Sequence, residues 1–247
     1  MKKWLAVLAL CGAVLALFST GGRELPVGGG GVVELPVGDP PLVALTFDDG
    51  PRADTTGRLL EGLALREVPA TFFLVGERIP GNEALVREMA AAGNQIGVHT
   101  YDHVFLTDLK EGEYRDQMAR TRGLLTAILG EGDYWLRPPY GILDENVVRW
   151  ADGPLILWSV DPEDWKDQNR ERIVESVVSR AKDGDIILMH DIYQSSVDAA
   201  LDIVDRLRER GFCFVTVEQM MQLRGVEPEP GGVYRSLPRQ QEENLQK

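Results

Sequence analysis

The chain has 247 residues, 44% of them hydrophobic, and a formal net charge of −13 at neutral pH. This length suits one large domain, or at most two, and the hydrophobic share is ordinary for a globular protein. The acidic balance argues against nucleic acid as a partner, because nucleic-acid binding requires a basic surface.

The first 21 residues have the pattern of an export signal. Two lysines precede an apolar run from Trp4 to Phe18, and small residues follow it. The run is shorter than the roughly 20 residues that usually span a bilayer. We expect residues 1–21 to be a signal peptide cleaved near Gly21, with retention as a membrane anchor as the alternative. The protein would then be extracellular or in the cell envelope, touching a membrane only through an uncleaved N-terminal segment.

The two ends of the remaining chain look unlike a folded core. Residues 22–40 are rich in Gly and Pro and repeat one motif, at Glu24–Gly28 and Glu34–Gly38. Two copies cannot build a repeat fold, so we expect a linker here. Residues 223–247 are polar and are expected to be a disordered tail. Residues 41–222 are left for one folded domain.

Within that domain, predicted strands alternate with predicted helices. Apolar, β-branched runs predict seven strands: Leu42–Phe47, Ala70–Val75, Gln95–Val98, Tyr134–Leu136, Leu155–Val160, Asp185–Met189 and Phe212–Val217. Helical periodicity predicts six helices: Thr55–Arg66, Glu83–Ala92, Glu113–Leu129, Glu145–Ala151, Glu171–Ala181 and Val197–Arg210. This alternation is typical of an α/β protein with a parallel sheet, and seven strands indicate a closed or nearly closed barrel.

All three histidines lie in short motifs that suit a metal site. His99 and His103 are four residues apart, and the acidic doublet Asp48-Asp49 follows the first predicted strand. Two imidazoles and a carboxylate are a ligand set of catalytic zinc, which keeps one position open for water. We expect His99, His103 and Asp49 to bind metal, with both histidines on one face of a helical turn. Asp48 is then a candidate base and His190 a candidate acid or base.

Each motif alone is equally compatible with a structure that has no catalytic function, such as a solvated histidine pair or an ordinary turn. Their positions favour a common site, because all follow the C-terminal ends of predicted strands. The five motifs are marked by Asp48, His99, Arg137, Asp161 and His190. Barrel enzymes place their active sites on that face. The sequence therefore predicts a metal-dependent hydrolase whose motifs converge.

Two of these motifs add candidates beyond the metal ligands. In the segment 137–141, two prolines fix the backbone, and Arg137 could hold a catalytic carboxylate ionised. The alternative is a surface arginine before a tight turn. The segment 161–165 offers carboxylates and an aromatic wall, with an acidic loop and a core-packed Trp as the alternative.

Together the motifs resemble those of polysaccharide deacetylases of carbohydrate esterase family 4, the NodB-homology domain. The resemblance covers about residues 41–222 and includes all five family motifs in order: Thr46–Gly50, His99–His103, Arg137–Gly141, Asp161–Trp165 and Leu188–His190. It implies a single catalytic domain with a distorted (β/α)7 barrel, which hydrolyses N-acetyl groups of amino sugars.

The resemblance also implies a role for each polar site residue. Asp48 would be the general base, oriented by Arg137. Asp49, His99 and His103 would bind one divalent metal, with Zn²⁺ expected first and Co²⁺ or another divalent ion as the alternative.

The same resemblance assigns the acid and the substrate contacts. His190 would be the general acid, paired with Asp164, with Asp161 as the alternative partner. The substrate contacts would come from Tyr140, whose backbone amide would stabilise the oxyanion, from Trp165 and Leu188 around the acetyl methyl group, and from Pro138.

The expected substrate is a polysaccharide of the cell envelope. The segments 137–140 and 158–166 look most like those of peptidoglycan N-acetylglucosamine deacetylases, followed by deacetylases of chitin or chito-oligosaccharides and by acetylxylan esterases. A catalytically silent glycan-binding or sporulation module is the alternative of another class. The intact motifs argue against it, because a binding module needs neither Asp48 nor His190. We expect the protein to act as a monomer.

Overall fold

The structure is a computed structural model that describes residues 39–239 and the backbone of residues 23–27 and 31–35. Strands β1 (Arg23–Val27) and β2 (Gly31–Leu35) pair antiparallel with each other. The predicted linker, residues 22–40, therefore contains a pair of strands in its described segments. The predicted export signal, residues 1–21, lies outside the described residues. Among the helices that are described, none has the length and apolar character needed to cross a bilayer.

Strands and helices alternate through the rest of the described chain. The further strands are β3 (Leu42–Asp48), β4 (Thr71–Leu74), β5 (Gln95–Val98), β6 (Leu155–Ile156), β7 (Asp185–His190), β8 (Cys213–Phe214) and β9 (Val233–Tyr234). The helices are α1 (Ala53–Ala64), α2 (Glu83–Ala91), α3 (Glu111–Leu129), α4 (Glu145–Trp150), α5 (Asp164–Asp167), α6 (Arg170–Val178), α7 (Gln194–Glu209) and α8 (Val217–Arg224). Short 3₁₀ helices span Gly76–Arg78, Leu106–Asp108 and Pro139–Gly141.

A parallel sheet in the order β5-β4-β3-β7 forms the centre of the fold. Every residue of β3 is buried, as expected for a parallel strand covered on both faces. Strand β8 pairs with the first two residues of β3, while β4 pairs with its last three. The register of β3 against β7 places Asp48 opposite His190 at the C-terminal end of the sheet.

Single parallel bridges continue the pairing from β5 round to β7. Leu136 pairs with both Val98 and Leu155, and Val160 pairs with Ile187. The predicted distorted (β/α) barrel is therefore confirmed, but three of its predicted strands are reduced to short or isolated pairings: Tyr134–Leu136, Leu155–Val160 and Phe212–Val217.

The shortening of β6 has a local cause. The carbonyl groups of Ile156 and Leu157 accept hydrogen bonds from the side chain of Arg137, at 3.2 and 3.1 Å. These oxygens bind a side chain rather than a neighbouring strand, and β6 ends at Ile156. The predicted last strand is also cut short, because Thr216 caps α8 and directs the chain into a helix.

The C-terminal segment is part of the fold. Strand β9 pairs in parallel with β6, and the N–H of Leu237, which is buried, donates to the carbonyl of Gly184 at 2.7 Å. The expectation of a disordered tail is therefore wrong for residues 223–239. Its polar composition did not indicate a folded segment. The segment lies beside β6, on the edge at which β6 pairs with β9 and not with β7. Residues 240–247 lie outside the described residues.

The six predicted helices are present, with ends shifted by a few residues, and they cover the sheet with apolar faces. Helix α7 shows the pattern, because its buried side chains recur every three or four positions, at Val197, Ala200, Ile203, Val204 and Leu207. It packs against α1 and α6. Truncating such a core leucine or isoleucine to alanine typically costs about 2–5 kcal/mol.

Candidate active site

The carboxylate of Asp48 is held by a buried arginine. Asp48 ends β3, and its Oδ1 accepts a hydrogen bond from Nη1 of Arg137 at 2.7 Å. The same Nη1 donates to Oγ1 of Thr46 at 2.7 Å. Both members of this ion pair are buried. The pairing fixes the orientation of the Asp48 carboxylate at the end of β3.

Arg137 is fully buried, which excludes the alternative of a surface arginine. Its Nε and Nη2 donate to the carbonyl groups of Ile156 and Leu157, and its guanidinium lies 4.2 Å from the ring centroid of Phe73. A buried ion pair is tolerated when further hydrogen bonds compensate for the lost water, and here each of the three guanidinium nitrogens donates at least one. Arg137 therefore connects the Asp48 carboxylate rigidly to the barrel wall.

Asp49, His99 and His103 form a compact group of metal-ligand type. Oδ1 of Asp49 lies 3.2 Å from Nε2 of His103 and 3.7 Å from Nε2 of His99. One ligand atom from each of the three residues lies within 4.8 Å of the others. Oδ1 of Asp49 is buried and has no hydrogen-bond donor of suitable geometry. An unpaired buried oxygen between two imidazole nitrogens fits a divalent cation.

Both imidazoles are oriented by partners on their other nitrogen. Nδ1 of His99 is 2.7 Å from the carbonyl oxygen of Arg137, and Nδ1 of His103 is 3.1 Å from the hydroxyl of Tyr140. Such outer contacts commonly fix metal-binding histidines. Burial lowers the pKa of His99, which favours the neutral ring that binds a metal. Burial alone would raise the pKa of Asp49, but His103, His99 and His190 outweigh it and hold that pKa below its usual range.

The predicted helical turn for the histidine pair is wrong. His99 follows β5, and the next residues form a turn in which Thr100 and His103 have φ values of 63° and 59°. The N–H of His103 donates to Oγ1 of Thr100 at 3.0 Å. The N–H of Tyr101 donates to Oε1 of Gln117 at 2.8 Å. Left-handed residues, rather than helical periodicity, bring the two rings together.

His190 contacts Asp164 and not Asp161. Nδ1 of His190 lies 2.7 Å from Oδ1 of Asp164, which is buried at the start of α5. Burial lowers the pKa of His190, but the hydrogen bond and charge of Asp164, with the charges of Asp48 and Asp49, outweigh it and raise the pKa to about 9. Oδ1 of Asp161 instead accepts from the N–H of Glu163 at 2.7 Å.

These groups open into one cavity of about 410 Å³. The residues that line it are Asp48, Asp49, His99, His103, Tyr140, Trp158, Asp161, Trp165, Leu188, His190 and Tyr193. Nearly all the predicted site residues therefore converge, with Arg137 and Asp164 buried as supports. Pro138 is buried and does not line the cavity, which argues against the predicted direct contact with substrate. Trp158 and Tyr193 are lining residues that the sequence motifs did not single out.

Asp191 is a further residue at the site that the sequence analysis missed. Its buried carboxylate accepts a hydrogen bond from Oγ1 of Thr56 at 2.5 Å. A Cβ at Gly50 would collide with that carboxylate, so only glycine fits beside it. Burial raises the pKa of Asp191 to about 7. The signal in the sequence was an acidic residue directly after His190, the last residue of β7.

The geometry agrees with comparisons to known proteins. The family model for polysaccharide deacetylase matches residues 37–152. The chain is 39% identical over 178 residues to the peptidoglycan-N-acetylmuramic acid deacetylase PdaC of Bacillus subtilis. It is 39% identical over 183 residues to a peptidoglycan-N-acetylglucosamine deacetylase of Bacillus cereus. These alignments cover 72% and 71% of this chain, but 38% and 66% of the two relatives.

A solved structure matches over nearly its whole length. It is a family 4 acetyl xylan esterase from Clostridium thermocellum in complex with a cobalt ion, with a TM-score of 0.76 and 30% identity. The match covers 80% of this chain and 99% of that chain. With its five motifs around one cavity, the chain belongs to the polysaccharide deacetylase family.

Proposed function

We propose that this protein removes N-acetyl groups from peptidoglycan and that its target sugar is N-acetylglucosamine. The observation that carries the proposal is the arrangement of a carboxylate held by a buried arginine, a metal-ligand group and a histidine paired with a buried carboxylate around one cavity. The two peptidoglycan deacetylases that share 39% of their aligned residues with the chain support peptidoglycan as the substrate. The choice of sugar follows the Bacillus cereus relative, which is an N-acetylglucosamine deacetylase, whereas PdaC acts on N-acetylmuramic acid. The chain spans 38% and 66% of the lengths of these two relatives, so their activity is extended to this chain only as a proposal.

The reaction begins with the activation of water. Asp48, oriented by Arg137, would accept a proton from the water that attacks the acetyl carbonyl carbon. A divalent ion held by Asp49, His99 and His103, for which we propose Zn²⁺, would activate this water and polarise the carbonyl. The backbone N–H of Tyr140 would stabilise the negative charge that develops on the carbonyl oxygen.

The second half of the reaction requires an acid. Asp164 occupies Nδ1 of His190, which leaves Nε2 as the ring nitrogen that can donate into the cavity. The carbon–nitrogen bond breaks as Nε2 passes its proton to the departing sugar amine, and acetate is released. Trp165 and Leu188 line the cavity and would pack against the acetyl methyl group.

We also propose that the protein is exported and acts as a monomer, tethered to the membrane only if residues 1–21 are retained. The pattern of charged, apolar and small residues at the N-terminus supports export. Deacetylation of xylan is the second candidate, because the acetyl xylan esterase shares both the fold and 30% of its sequence with the chain.

Mass spectrometry of digested peptidoglycan tests the proposal. After incubation with purified protein, the fragments should be lighter by one acetyl group on N-acetylglucosamine, and acetate should appear in equal amount. Asp48→Asn protein is the matched control and should leave the fragments unchanged. Loss of acetyl from N-acetylmuramic acid would overturn the choice of sugar. Intact fragments, together with acetate release from acetylxylan, would favour the second candidate.

A further inference from the structure

Exposed hydrophobic side chains gather at the mouth of the catalytic cavity. Within residues 39–239 the exposed large hydrophobic residues are Leu65, Phe105, Tyr140, Ile142, Trp165 and Val233. Tyr140 and Trp165, each 50% exposed, line the cavity. Phe105 is 41% exposed and stacks on Tyr140, and Ile142 lies two residues beyond Tyr140. Exposed apolar groups that gather around an active site, rather than scattering singly, indicate a binding surface.

Phe105 and Tyr140 extend outward from the metal-ligand group as a continuous row of rings. The centroid of Tyr140 is 4.7 Å from that of His103, with the rings nearly perpendicular. The ring of Phe105 stacks on Tyr140 at 4.0 Å, with an interplanar angle of 16°. Phe105 has no position in the catalytic machinery described above. We therefore ask whether the exposed ring of Phe105 binds part of the substrate rather than taking part in bond cleavage.

This row of rings is held in place before any ligand arrives. The Tyr140 hydroxyl lies 3.1 Å from Nδ1 of His103 and 3.3 Å from the carbonyl oxygen of the same residue. Phe105 directly precedes a 3₁₀ helix in which Leu106 is buried, which anchors the backbone beside it. Fixed aromatic rings provide apolar contact area while losing little conformational entropy on binding.

We propose that Phe105 and Tyr140 form a platform for the sugar residue next to the one that is deacetylated. This inference rests on the proposed polysaccharide substrate. A glycan is a continuous chain, so when one residue enters the cavity its neighbour must lie against the protein at the mouth. Pyranose rings present faces of C–H groups that pack against aromatic rings, and the platform is continuous with the cavity through Tyr140.

The test compares a polymeric with a small substrate. Wild-type protein and Phe105→Ala are assayed on glycan strands freed of stem peptides and on an aryl acetate, which has no neighbouring sugar. The ratio of kcat/KM on glycan to kcat/KM on the aryl acetate should fall roughly five- to tenfold in Phe105→Ala, mainly through KM. Phe105→Trp should restore the ratio. Leu65→Ala, at a residue 85% exposed, is the matched control and should leave both rates unchanged.

The outcomes distinguish a failure of the proposed platform from a failure of the proposed function. An unchanged ratio in Phe105→Ala, with both proteins folded and active, would overturn the platform while leaving the proposed function intact. Equal losses on both substrates would also overturn it, because Phe105 would then act through Tyr140 on the catalytic group. Failure of the wild type to release acetate from glycan strands would instead overturn the proposed function.

Discussion

Both carboxylate oxygens of Asp164 form hydrogen bonds with His190. Oδ1 lies 2.7 Å from Nδ1 of the ring, and Oδ2 accepts the backbone N–H of His190 at 2.8 Å. The first contact favours the imidazolium, and the second fixes the backbone from which the ring projects. One buried carboxylate therefore sets both the charge and the position of the proposed general acid.

The first prediction is that Asp164→Asn shifts the alkaline limb of the pH–rate profile toward neutrality. The pKa of His190 is raised to about 9, so its proton is present below that pH and lost above it. Without the negative charge of Asp164, burial lowers this pKa and the acid is lost sooner. A bound dication would repel the imidazolium, so the wild-type limb should lie at or below about pH 9. We expect kcat at neutral pH to fall roughly ten- to hundredfold.

Asp161→Asn is the control for this experiment. Asp161 lines the cavity, but its carboxylate bonds to the backbone of Glu163 and not to His190. The alkaline limb of the pH–rate profile of Asp161→Asn should coincide with that of the wild type. A shift in Asp161→Asn and none in Asp164→Asn would reverse the assignment of the partner.

The second prediction concerns His190 itself. His190→Ala should retain its metal and lose the alkaline limb, with a rate on N-acetyl sugar lower by roughly 10²–10⁴-fold. An acetyl ester with a good leaving group needs little protonation, so its hydrolysis should suffer less. The measurement is a pair of pH–rate profiles on the two substrates, with metal content determined for each protein. Equal losses on both substrates, or loss of the metal, would contradict the role of general acid.

The third prediction is that Arg137→Met destabilises the fold strongly. The change leaves the Asp48 carboxylate buried without its partner, which typically costs about 3–5 kcal/mol in the free energy of unfolding. Urea denaturation of the metal-free protein measures this. Arg115→Met removes an exposed ion pair with Glu111 and should cost less than about 1 kcal/mol. Similar losses in the two variants would show that the buried pair is not the source of the effect.

The fourth prediction is that Tyr140→Phe weakens metal binding. Removing the hydroxyl frees the His103 ring from its outer contact, and losses of this type lower metal affinity roughly 10- to 100-fold. Competition with a chelator measures the affinity directly. Tyr234→Phe, whose hydroxyl contacts the backbone of the C-terminal segment, should bind metal as the wild type does. Unchanged affinity in Tyr140→Phe would mean that the hydroxyl does not support the ligand.

Local patterns in the sequence predicted the elements whose structure is determined locally. Strands β3 and β7 are continuous apolar runs because both faces are buried, and they lie where predicted. The shortened β6 could not be predicted, because it depends on a side chain, Arg137, that folds back across the barrel. The order of segment 223–239 depends likewise on a gap beside β6 that exists only in the folded protein.

The candidate site was predictable in composition but not in detail. The positions of Asp49, His99 and His103 after predicted strands were sufficient to bring them together. The turn that orients the histidines was not, because its left-handed residues carry no glycine signal. The choice between Asp161 and Asp164 also required the structure, since both lie in one short motif. Asp191 escaped notice because its partner, Thr56, lies 135 positions away in the chain.

The most direct test of the account separates the base from the metal ligands. Acetate release from peptidoglycan and metal content are measured together for wild type, Asp48→Asn and His103→Ala. We predict one metal ion per chain in the wild type and in Asp48→Asn, with a rate roughly 10²–10⁴-fold lower in the latter. His103→Ala should lose both the metal and the activity. Near-normal turnover in Asp48→Asn, or a full metal complement in His103→Ala, would contradict the account.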